Sequence, residues 1–355
     1  MKELRLMKGN EALAEAAIRA GADAYFGYPI TPQSEVIEYL MANKPEERTG
    51  MVVLQAESEV AAINMVYGAA GCGKKALTSS SSPGMSLKQE GISYIAGAEL
   101  PCVLVNVVRG GPGLGTIQPS QSDYFQSVKG GGHGDYKLIV LAPSSVQESV
   151  DYVKLAFELA FKYRTPVMIQ SDGIIGQMME KVELFEQMPR VEPDYEWATI
   201  GRKEGKPSTF VTSLQLQAEE QEKVNLRLQA KYREIEKNEV LFESHYCEDA
   251  DYLLTAFGSC ARITRKAMEM ARAKGIKVGL LRPQTLYPFP TEEFNRLAGQ
   301  VKGILCVEMN AGQMVEDVRL SVNGKTKVEH FGRFGGMIPN PDEILNALEQ
   351  KIIGG

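Results

Sequence analysis

The chain has 355 residues, of which 44% are hydrophobic and 24% are charged, and its formal net charge at pH 7 is -6. This composition predicts a folded protein with room for two hydrophobic cores, and it gives no reason to expect nucleic acid or an anionic membrane as a partner. No apolar run approaches the ~18 residues that cross a bilayer, and "MKELRLMKGNEALAEAA" lacks a signal-peptide core, so we expect a cytoplasmic protein.

The cysteines are too scattered to form a familiar site. None of them belongs to a C-x-x-C pair, which argues against a disulfide framework and against an iron-sulfur or zinc centre built by this chain alone. The five are Cys72, Cys102, Cys247, Cys260 and Cys306.

The first predicted elements are a helix, a short strand and a second helix. Residues 10–20 have amphipathic spacing and are closed by Gly21, and residues 23–30 have the apolar, aromatic character of a buried strand. In "TPQSE", Thr31 is a suitable N-cap and Pro32 a suitable first helical residue. We therefore predict that the second helix begins at Pro32.

A second strand-helix unit follows, with a strand over residues 51–54 and a helix from Glu57 onward. Glu59, Ile63 and Val66 fall on one face of this helix at i, i+4 and i+7, so the carboxylate of Glu59 projects along an apolar stripe. An acid in a first helical turn is also favoured by the helix dipole alone. On these grounds the functional and structural interpretations of Glu59 are equally supported.

The next segments continue the alternation of strand and helix. They comprise a strand near residues 75–78, a serine-rich turn, a helix over 83–98, a strand ending at Arg109, and two further strands around one long helix. This order predicts a parallel, doubly wound α/β domain that ends near Gln187. Thr31, Arg109 and the glycine-rich loop at 110–115 would then lie at the carboxyl ends of the strands, where such sheets bind ligands.

The glycine-rich loops carry no nucleotide or metal signature. The loop at 110–115 lacks both the Walker and the dinucleotide patterns. His133 lies in "KGGGHGDY" without a neighbouring cysteine or second histidine, which makes it a poor metal ligand and a candidate for an interface or the rim of a site.

The second half of the chain contains a connecting arm and another α/β unit. Residues 189–207 are polar and without period, and the charged segment 219–239 has a narrow apolar stripe that predicts a solvated amphipathic helix. Strands and helices alternate again afterwards, with helices predicted from about Arg262 and after "PFPTEE". We therefore divide the chain into domains at 1–188 and 247–355, joined by an arm at 189–246.

Two motifs, "GYPITPQSE" and "ESEVAAINMVYGAA", resemble the alpha subunit of the 2-oxoacid:ferredoxin oxidoreductases, which are thiamine diphosphate enzymes. "MKGNEALAEAAIRAG" and "YFGYPITPQSE" are most similar to the branched-chain (2-oxoisovalerate) subunit, with 2-oxoglutarate and pyruvate as alternative substrates. The resemblance implies a pyrimidine-binding thiamine diphosphate domain followed by a transketolase C-terminal-like domain.

The resemblance also implies roles for individual residues. Glu59 matches the glutamate that bonds the cofactor's pyrimidine ring, and Thr31 and Arg109 match residues beside the substrate. Pro29 and Ile30, in the same "YPITP" motif, are predicted to contact the cofactor. A desolvated carboxylate holds a proton more readily, and a guanidinium meets a carboxylate at two points, which suits both roles.

Parts of such an enzyme are missing from this chain. The nearest match to a magnesium and diphosphate motif is "SDG" at 171–173, which has no suitable asparagine after it. The resemblance therefore implies a beta-type partner subunit that carries Mg and an iron-sulfur cluster, ferredoxin or a ferredoxin-like subunit as acceptor, and coenzyme A as co-substrate. A thiamine enzyme with another acceptor and a non-catalytic assembly subunit remain the alternatives.

Overall fold

The computed structural model describes residues 3–192, 194–201 and 208–354, and within these residues three β-sheets organise the chain. The strands are β1 (Glu3–Lys8), β2 (Ala24–Gly27), β3 (Val52–Gln55), β4 (Ala76–Ser80), β5 (Cys102–Val108), β6 (Ile139–Leu141), β7 (Pro166–Asp172), β8 (Met179–Leu184), β9 (Phe242–His245), β10 (Tyr252–Thr255), β11 (Val278–Pro283), β12 (Thr285–Tyr287), β13 (Gly303–Glu308) and β14 (Lys327–Gly332).

The helices lie between these strands, and a π-helical turn over Glu349–Ile353 follows the last of them. They are α1 (Gly9–Arg19), α2 (Ser34–Asn43), α3 (Pro45–Thr49), α4 (Glu59–Gly71), α5 (Ser82–Leu87), α6 (Gln89–Gly97), α7 (Tyr124–Val128), α8 (Val146–Tyr163), α9 (Gly173–Gln177), α10 (Ala218–Asn238), α11 (Gly258–Ala273), α12 (Thr291–Ala298), α13 (Met314–Val322) and α14 (Pro341–Leu348).

The largest sheet has seven strands in the order β12-β6-β7-β5-β4-β2-β3. All of its pairs are parallel except β12 with β6. Every residue of β4, β5 and β7 is buried, as expected for a parallel sheet covered by helices on both faces. The predicted doubly wound α/β fold is confirmed.

The second sheet has five strands in the order β14-β13-β10-β11-β9, of which only β9 is antiparallel. Two strands lie outside the predicted division of the chain: β9 falls in the predicted arm but joins this second sheet, and β12 joins the edge of the first sheet. A single contiguous cut therefore does not separate the sheets. The division at 1–188, 189–246 and 247–355 stays a proposal, and positions 1–2, 193, 202–207 and 355 within it lie outside the described residues.

The prediction that α2 begins at Pro32 with Thr31 as N-cap is wrong. The backbone N–H of Gln33 bonds back to Ile30 in a turn, and Val36 N donates to Gln33 O at 3.0 Å. The helix therefore begins at Ser34 with Gln33 in the cap position. The turn at residues 30–33 uses backbone hydrogen-bonding groups that a helix beginning at Pro32 would need for its own hydrogen bonds.

Other helix boundaries also differ from those predicted. The α4 helix begins at Glu59, two residues later than expected, because Ser58 is its N-cap and accepts a hydrogen bond from Ala61 N at 3.2 Å. The helix predicted over residues 83–98 is divided into α5 and α6 at Lys88. In the second unit, α11 begins at Gly258 rather than near Arg262, and α12 begins at Thr291, within "PFPTEE".

The charged arm helix is confirmed as α10. Its apolar stripe is buried at Leu228, Tyr232 and Ile235, whereas Leu226 on the opposite side is exposed. Its membership of the main hydrophobic core explains why a helix so rich in charge is ordered. Among the described helices, none is both long and apolar enough to cross a membrane.

Candidate active site

Glu59 is the first residue of α4, and its side chain is buried although it carries a carboxylate. Ser58 caps the helix, so the first turn is anchored and the side chain of Glu59 lies on the same face as Ile63 and Val66. All three are buried, with Glu59 only 7% exposed. The predicted apolar stripe is therefore present, and Glu59 lies at its N-terminal end.

The Glu59 carboxylate faces the end of β4 and the start of α5. A methyl group added to Gly84 would lie 2.6 Å from Glu59 Oε1 and 2.2 Å from Ser80 Oγ, so both side chains occupy the space directly against this glycine. No described residue donates a hydrogen bond to the carboxylate, and the buried Ser80 hydroxyl is also without a partner. Because buried polar groups are normally hydrogen-bonded, this pair fits an external ligand.

Arg109 is buried rather than a surface charge at a strand end. Its Nη1 donates to the backbone oxygen of Thr31 at 2.9 Å, and its Nη2 donates to Leu114 O at 3.0 Å. Its Nε is buried without a partner. Thr31 is exposed, so the two residues predicted to bind substrate lie together, with the cation beneath and the hydroxyl residue at the surface.

Ser82 connects Arg109 to the segment that carries Gly84. Its hydroxyl accepts from Arg109 N at 3.1 Å and donates to Arg109 O at 3.2 Å. The structure thus brings Thr31 and Arg109 into contact, and it relates them to Glu59 through residues 80–84.

Pro29 and Ile30 lie half-buried in the loop between β2 and α2. The loop is held from behind by Gln33, whose side chain donates to Tyr28 O at 3.1 Å and accepts from Ser79 Oγ at 2.5 Å. Through Gln33, these hydrogen bonds connect the "YPITP" loop to Ser79 at the end of β4.

Several residues of this site were missed in the sequence. Ser80 and Gly84 lie against Glu59, Gln33 holds the loop before α2, and Lys88 is completely buried between α5 and α6. The signal that points to them is the run of hydroxyl residues in "TSSSSPG", from which the sequence pattern predicts only a turn. Ser79 and Ser80 are in fact buried at the end of β4.

Two clefts open beside Thr31, Ser82 and the glycine loop. One, of about 550 Å³, lies between Gly110–Gly113 and Asn310–Gln313 and includes Ser82 and Asp123. The other, of about 470 Å³, includes Thr31, Glu35 and Ile117. Burial raises the pKa of Asp123. These volumes are in the range of small-molecule sites.

The "SDG" aspartate is engaged in the structure of the protein. Asp172 is buried and accepts hydrogen bonds from Ser259 Oγ at 2.5 Å and from Ile174 N at 2.8 Å. It therefore caps α9 and links β7 to α11. Among the described residues, no group of three or more His, Cys, Asp or Glu side chains could hold a metal ion.

His133 is exposed, and its ring contacts Tyr94 edge-on at 6.0 Å between ring centres. Its backbone oxygen accepts a hydrogen bond from Ser93 Oγ at 2.6 Å. These contacts hold the glycine-rich loop against α6. The assignment of His133 to an interface or site rim stays a prediction.

Two family models match the sequence. Residues 15–240 match the model described as "Pyruvate flavodoxin/ferredoxin oxidoreductase, thiamine diP-bdg". Residues 250–344 match "Pyruvate:ferredoxin oxidoreductase core domain II".

Two curated relatives are similar over nearly their whole length. Ketoisovalerate oxidoreductase subunit VorB of Methanothermobacter marburgensis is 50% identical over 98% of this chain and 97% of its own. The 2-oxoglutarate synthase subunit KorA of the same organism is 37% identical over 98% of this chain and 99% of its own.

Two solved structures share the fold. The 2-oxoglutarate:ferredoxin oxidoreductase from Magnetococcus marinus, solved with 2-oxoglutarate, coenzyme A and succinyl-CoA bound, superposes with a TM-score of 0.86 at 29% identity. The match covers 99% of this chain but only 65% of that one. An inactive split-gene transketolase tetramer matches over 98% of both chains at 15% identity with a TM-score of 0.61, which is a likeness of fold alone.

Proposed function

We propose that this chain, which belongs to the thiamine diphosphate-dependent 2-oxoacid:ferredoxin oxidoreductase family, supplies the pyrimidine-binding half of such an enzyme's active site. The observation that carries the proposal is Glu59, a buried carboxylate to which no described residue donates a hydrogen bond. The chain spans 65% of the structurally similar oxidoreductase, so the activity of the whole complex is part of the proposal.

The residues around Glu59 fit the pyrimidine ring of thiamine diphosphate. Bound there, the cofactor would supply the nucleophilic carbon that decarboxylation of a 2-oxoacid needs. Glu59 contributes a carboxylate that bonds the ring nitrogen and holds or returns its proton. Ser80 offers an unpartnered hydroxyl beside it, and Gly84 leaves room for both side chains because it has none of its own.

Arg109 and Thr31 are proposed to orient the substrate. The guanidinium is buried and fixed by two backbone oxygens, so it presents its positive charge without rotating. Its unpartnered Nε fits the carboxylate or carbonyl oxygen of a 2-oxoacid. Pro29 and Ile30 are proposed to contact the cofactor from the half-buried loop before Thr31.

A branched-chain 2-oxoacid, 2-oxoisovalerate, is the proposed substrate. Identity to a ketoisovalerate oxidoreductase subunit is 50%, against 37% to a 2-oxoglutarate synthase subunit. The two clefts beside the site include acids, Asp123 and Glu35, and among the described residues no lysine or arginine lines either of them. A second substrate carboxylate would therefore find no cation from these linings.

The remaining parts of the enzyme are proposed to come from partners. A beta-type subunit would carry the diphosphate-binding domain with Mg and an iron-sulfur cluster. Ferredoxin or a ferredoxin-like subunit would accept the electrons singly, and coenzyme A would take the acyl group.

Reconstitution of the complex tests the function and the substrate together. Ferredoxin or viologen reduction is measured with 2-oxoisovalerate, 2-oxoglutarate and pyruvate, each with coenzyme A. We expect the highest kcat/KM with 2-oxoisovalerate. A clear preference for 2-oxoglutarate or pyruvate would refute the substrate, and reduction with none of them would refute the function.

A further inference from the structure

Lys88 is a buried lysine at the junction of α5 and α6. Its side chain is 0% exposed, and its Nζ donates a hydrogen bond to Thr78 Oγ1 at 2.6 Å. No described carboxylate lies within ion-pair distance of this amine. Burial of an ammonium group in this way is costly, so the position calls for a physical reason.

On either side of Lys88 in the sequence, α5 and α6 each contact α4. Gly84, four residues before it, lies against Glu59, and Gly91, three residues after it, lies against Ile63. Lys88 itself is the residue at which α5 ends and α6 begins. Its buried side chain therefore lies at the junction between the contacts that these two helices make with α4.

Two residues of β4 also relate Lys88 to Glu59. Thr78, its hydrogen-bond partner, and Ser80, which lies beside Glu59 at Gly84, are two residues apart on β4. Such residues point to the same face of a strand. Lys88 and Glu59 are thus neighbours along one side of β4.

Glu59 is the charged group that acts on Lys88. Burial lowers the pKa of Lys88 to about 7, and the negative charge of Glu59 opposes this effect. The other acids on the packed elements, Glu57 and Glu90, are exposed, and Glu90 accepts a hydrogen bond from Tyr94. Below about pH 7 Lys88 is therefore a cation, and Glu59 is the buried acid that lies beside it.

We propose that Lys88 is a positioning residue of the site: its buried ammonium group, held by Thr78, stabilises the ionised carboxylate of Glu59. This inference rests on the proposed function of Glu59. An ionised Glu59 stabilises a positive charge at the ring nitrogen that it bonds, so Lys88 acts on the cofactor through Glu59 without touching it.

Infrared titration of Glu59 in the assembled complex without thiamine diphosphate tests this role. The carboxylic C=O band of Glu59 is assigned by its loss in Glu59→Gln, and its pH midpoint is compared in wild type and Lys88→Met. We expect the midpoint to rise by about one pH unit or more in Lys88→Met. The matched control is Lys75→Met, a half-buried lysine whose amine bonds Ala20 O, which leaves the midpoint unchanged.

A reciprocal measurement keeps the inference testable if Lys88→Met does not fold. In the complex with 15N-labelled lysine, the Lys88 amine should lose its proton at a lower pH in Glu59→Gln than in wild type. An unchanged Glu59 midpoint in folded Lys88→Met, or an unchanged Lys88 titration in Glu59→Gln, overturns the inference. Loss of turnover in Glu59→Gln together with either result would leave the proposed function intact, whereas full turnover in Glu59→Gln would refute the function itself.

Discussion

A carboxylate at the first position of a helix has two possible meanings, and at Glu59 the burial separates them. A residue serving only the helix dipole gains nothing from leaving water. Glu59 is 7% exposed, and Ser58 already caps the helix. The cost of burying this carboxylate thus favours a ligand-binding role over a purely structural one.

We predict that Glu59→Gln leaves folding and assembly nearly intact but removes most of the turnover. Gln has almost the same volume and still forms hydrogen bonds, but it cannot share a proton. Loss of a positioned acid-base group costs on the order of a hundred to ten-thousandfold in rate. The measurements are turnover and C2 deuterium exchange on the bound cofactor.

Glu57→Gln is the matched control for this substitution. Glu57 precedes the N-cap and is exposed, so we expect nearly wild-type rates. Wild-type exchange and turnover in Glu59→Gln would show that Glu59 is not the activating carboxylate.

We also predict that Gly84→Ala reduces turnover with little loss of stability. The added Cβ would lie 2.2 Å from Ser80 Oγ and 2.6 Å from Glu59 Oε1, which are the ends of side chains that can rotate away. The fold is therefore spared while the carboxylate is displaced. Turnover and the unfolding free energy are measured on the same preparation.

Gly68→Ala provides the comparison, because nothing lies within 4 Å of the Cβ it would add. It lies in α4, where Ala is favoured over Gly by roughly 0.5 to 1 kcal/mol. We expect unchanged turnover for this variant. Equal activity of Gly84→Ala and Gly68→Ala would argue against a close approach of Glu59 to Gly84.

At the scale of elements, α10 shows how a helix rich in charge is ordered by a few apolar contacts. Its buried stripe packs into the core that also contains the first sheet. Ion pairs tie the same helix to Glu99, which accepts from both Arg227 and Lys231. Arg227 is exposed, so its pair with Glu99 contributes little, whereas Lys231 and Glu99 are largely buried and support the apolar stripe in holding the helix in place.

We predict that Leu228→Ala destabilises the protein by about 2 to 5 kcal/mol, the usual cost of truncating a buried leucine. Leu228 is 3% exposed, whereas Leu226, two residues earlier, is 63% exposed. Leu226→Ala should change stability by no more than about 0.5 kcal/mol. Chemical denaturation of both variants gives the comparison, and similar losses would mean that α10 is not held by its stripe.

At the scale of the whole molecule, the chain crosses between the two larger sheets at β12, and polar contacts also join them. Asp172 at the end of β7 accepts a hydrogen bond from Ser259 in α11, and Gln121 donates to Phe257 O at 2.8 Å. The β12 strand covers the edge of β6. These contacts place the second α/β unit beside the carboxyl ends of the first sheet, where it forms one wall of the larger cleft.

We predict that the isolated chain binds thiamine diphosphate weakly or not at all. Asp172, the residue nearest to a magnesium motif, is already used to cap α9 and to bond Ser259. Calorimetric titration with thiamine diphosphate and Mg²⁺ measures the affinity with and without the partner subunit. Tight, magnesium-dependent binding to the isolated chain would contradict a site divided between subunits.

The sequence alone determined the alternation of strands and helices, the parallel α/β class, the burial of Glu59 and the apolar stripe of α10. These features follow from local hydrophobic periodicity, which is a property of the sequence itself. The start of α2, the division at Lys88, and the sheets that β9 and β12 join were decided by the structure. The two strands pair with residues distant in sequence, and Lys88 bonds Thr78 of β4. The start of α2 follows a turn between Ile30 and Gln33, and the Gln33 side chain is held by Ser79.

The candidate site shows the same limit. The resemblance predicts Glu59, Thr31 and Arg109 as site residues, but not that Arg109 bonds the backbone of Thr31 or that Gly84 lies against Glu59. The burial of Lys88 could not be foreseen either, since a lysine within a helical pattern is normally solvated. Only the packing of α5 and α6 on α4 and β4 turns that lysine inward, because a side chain's solvation is set by whichever elements cover it.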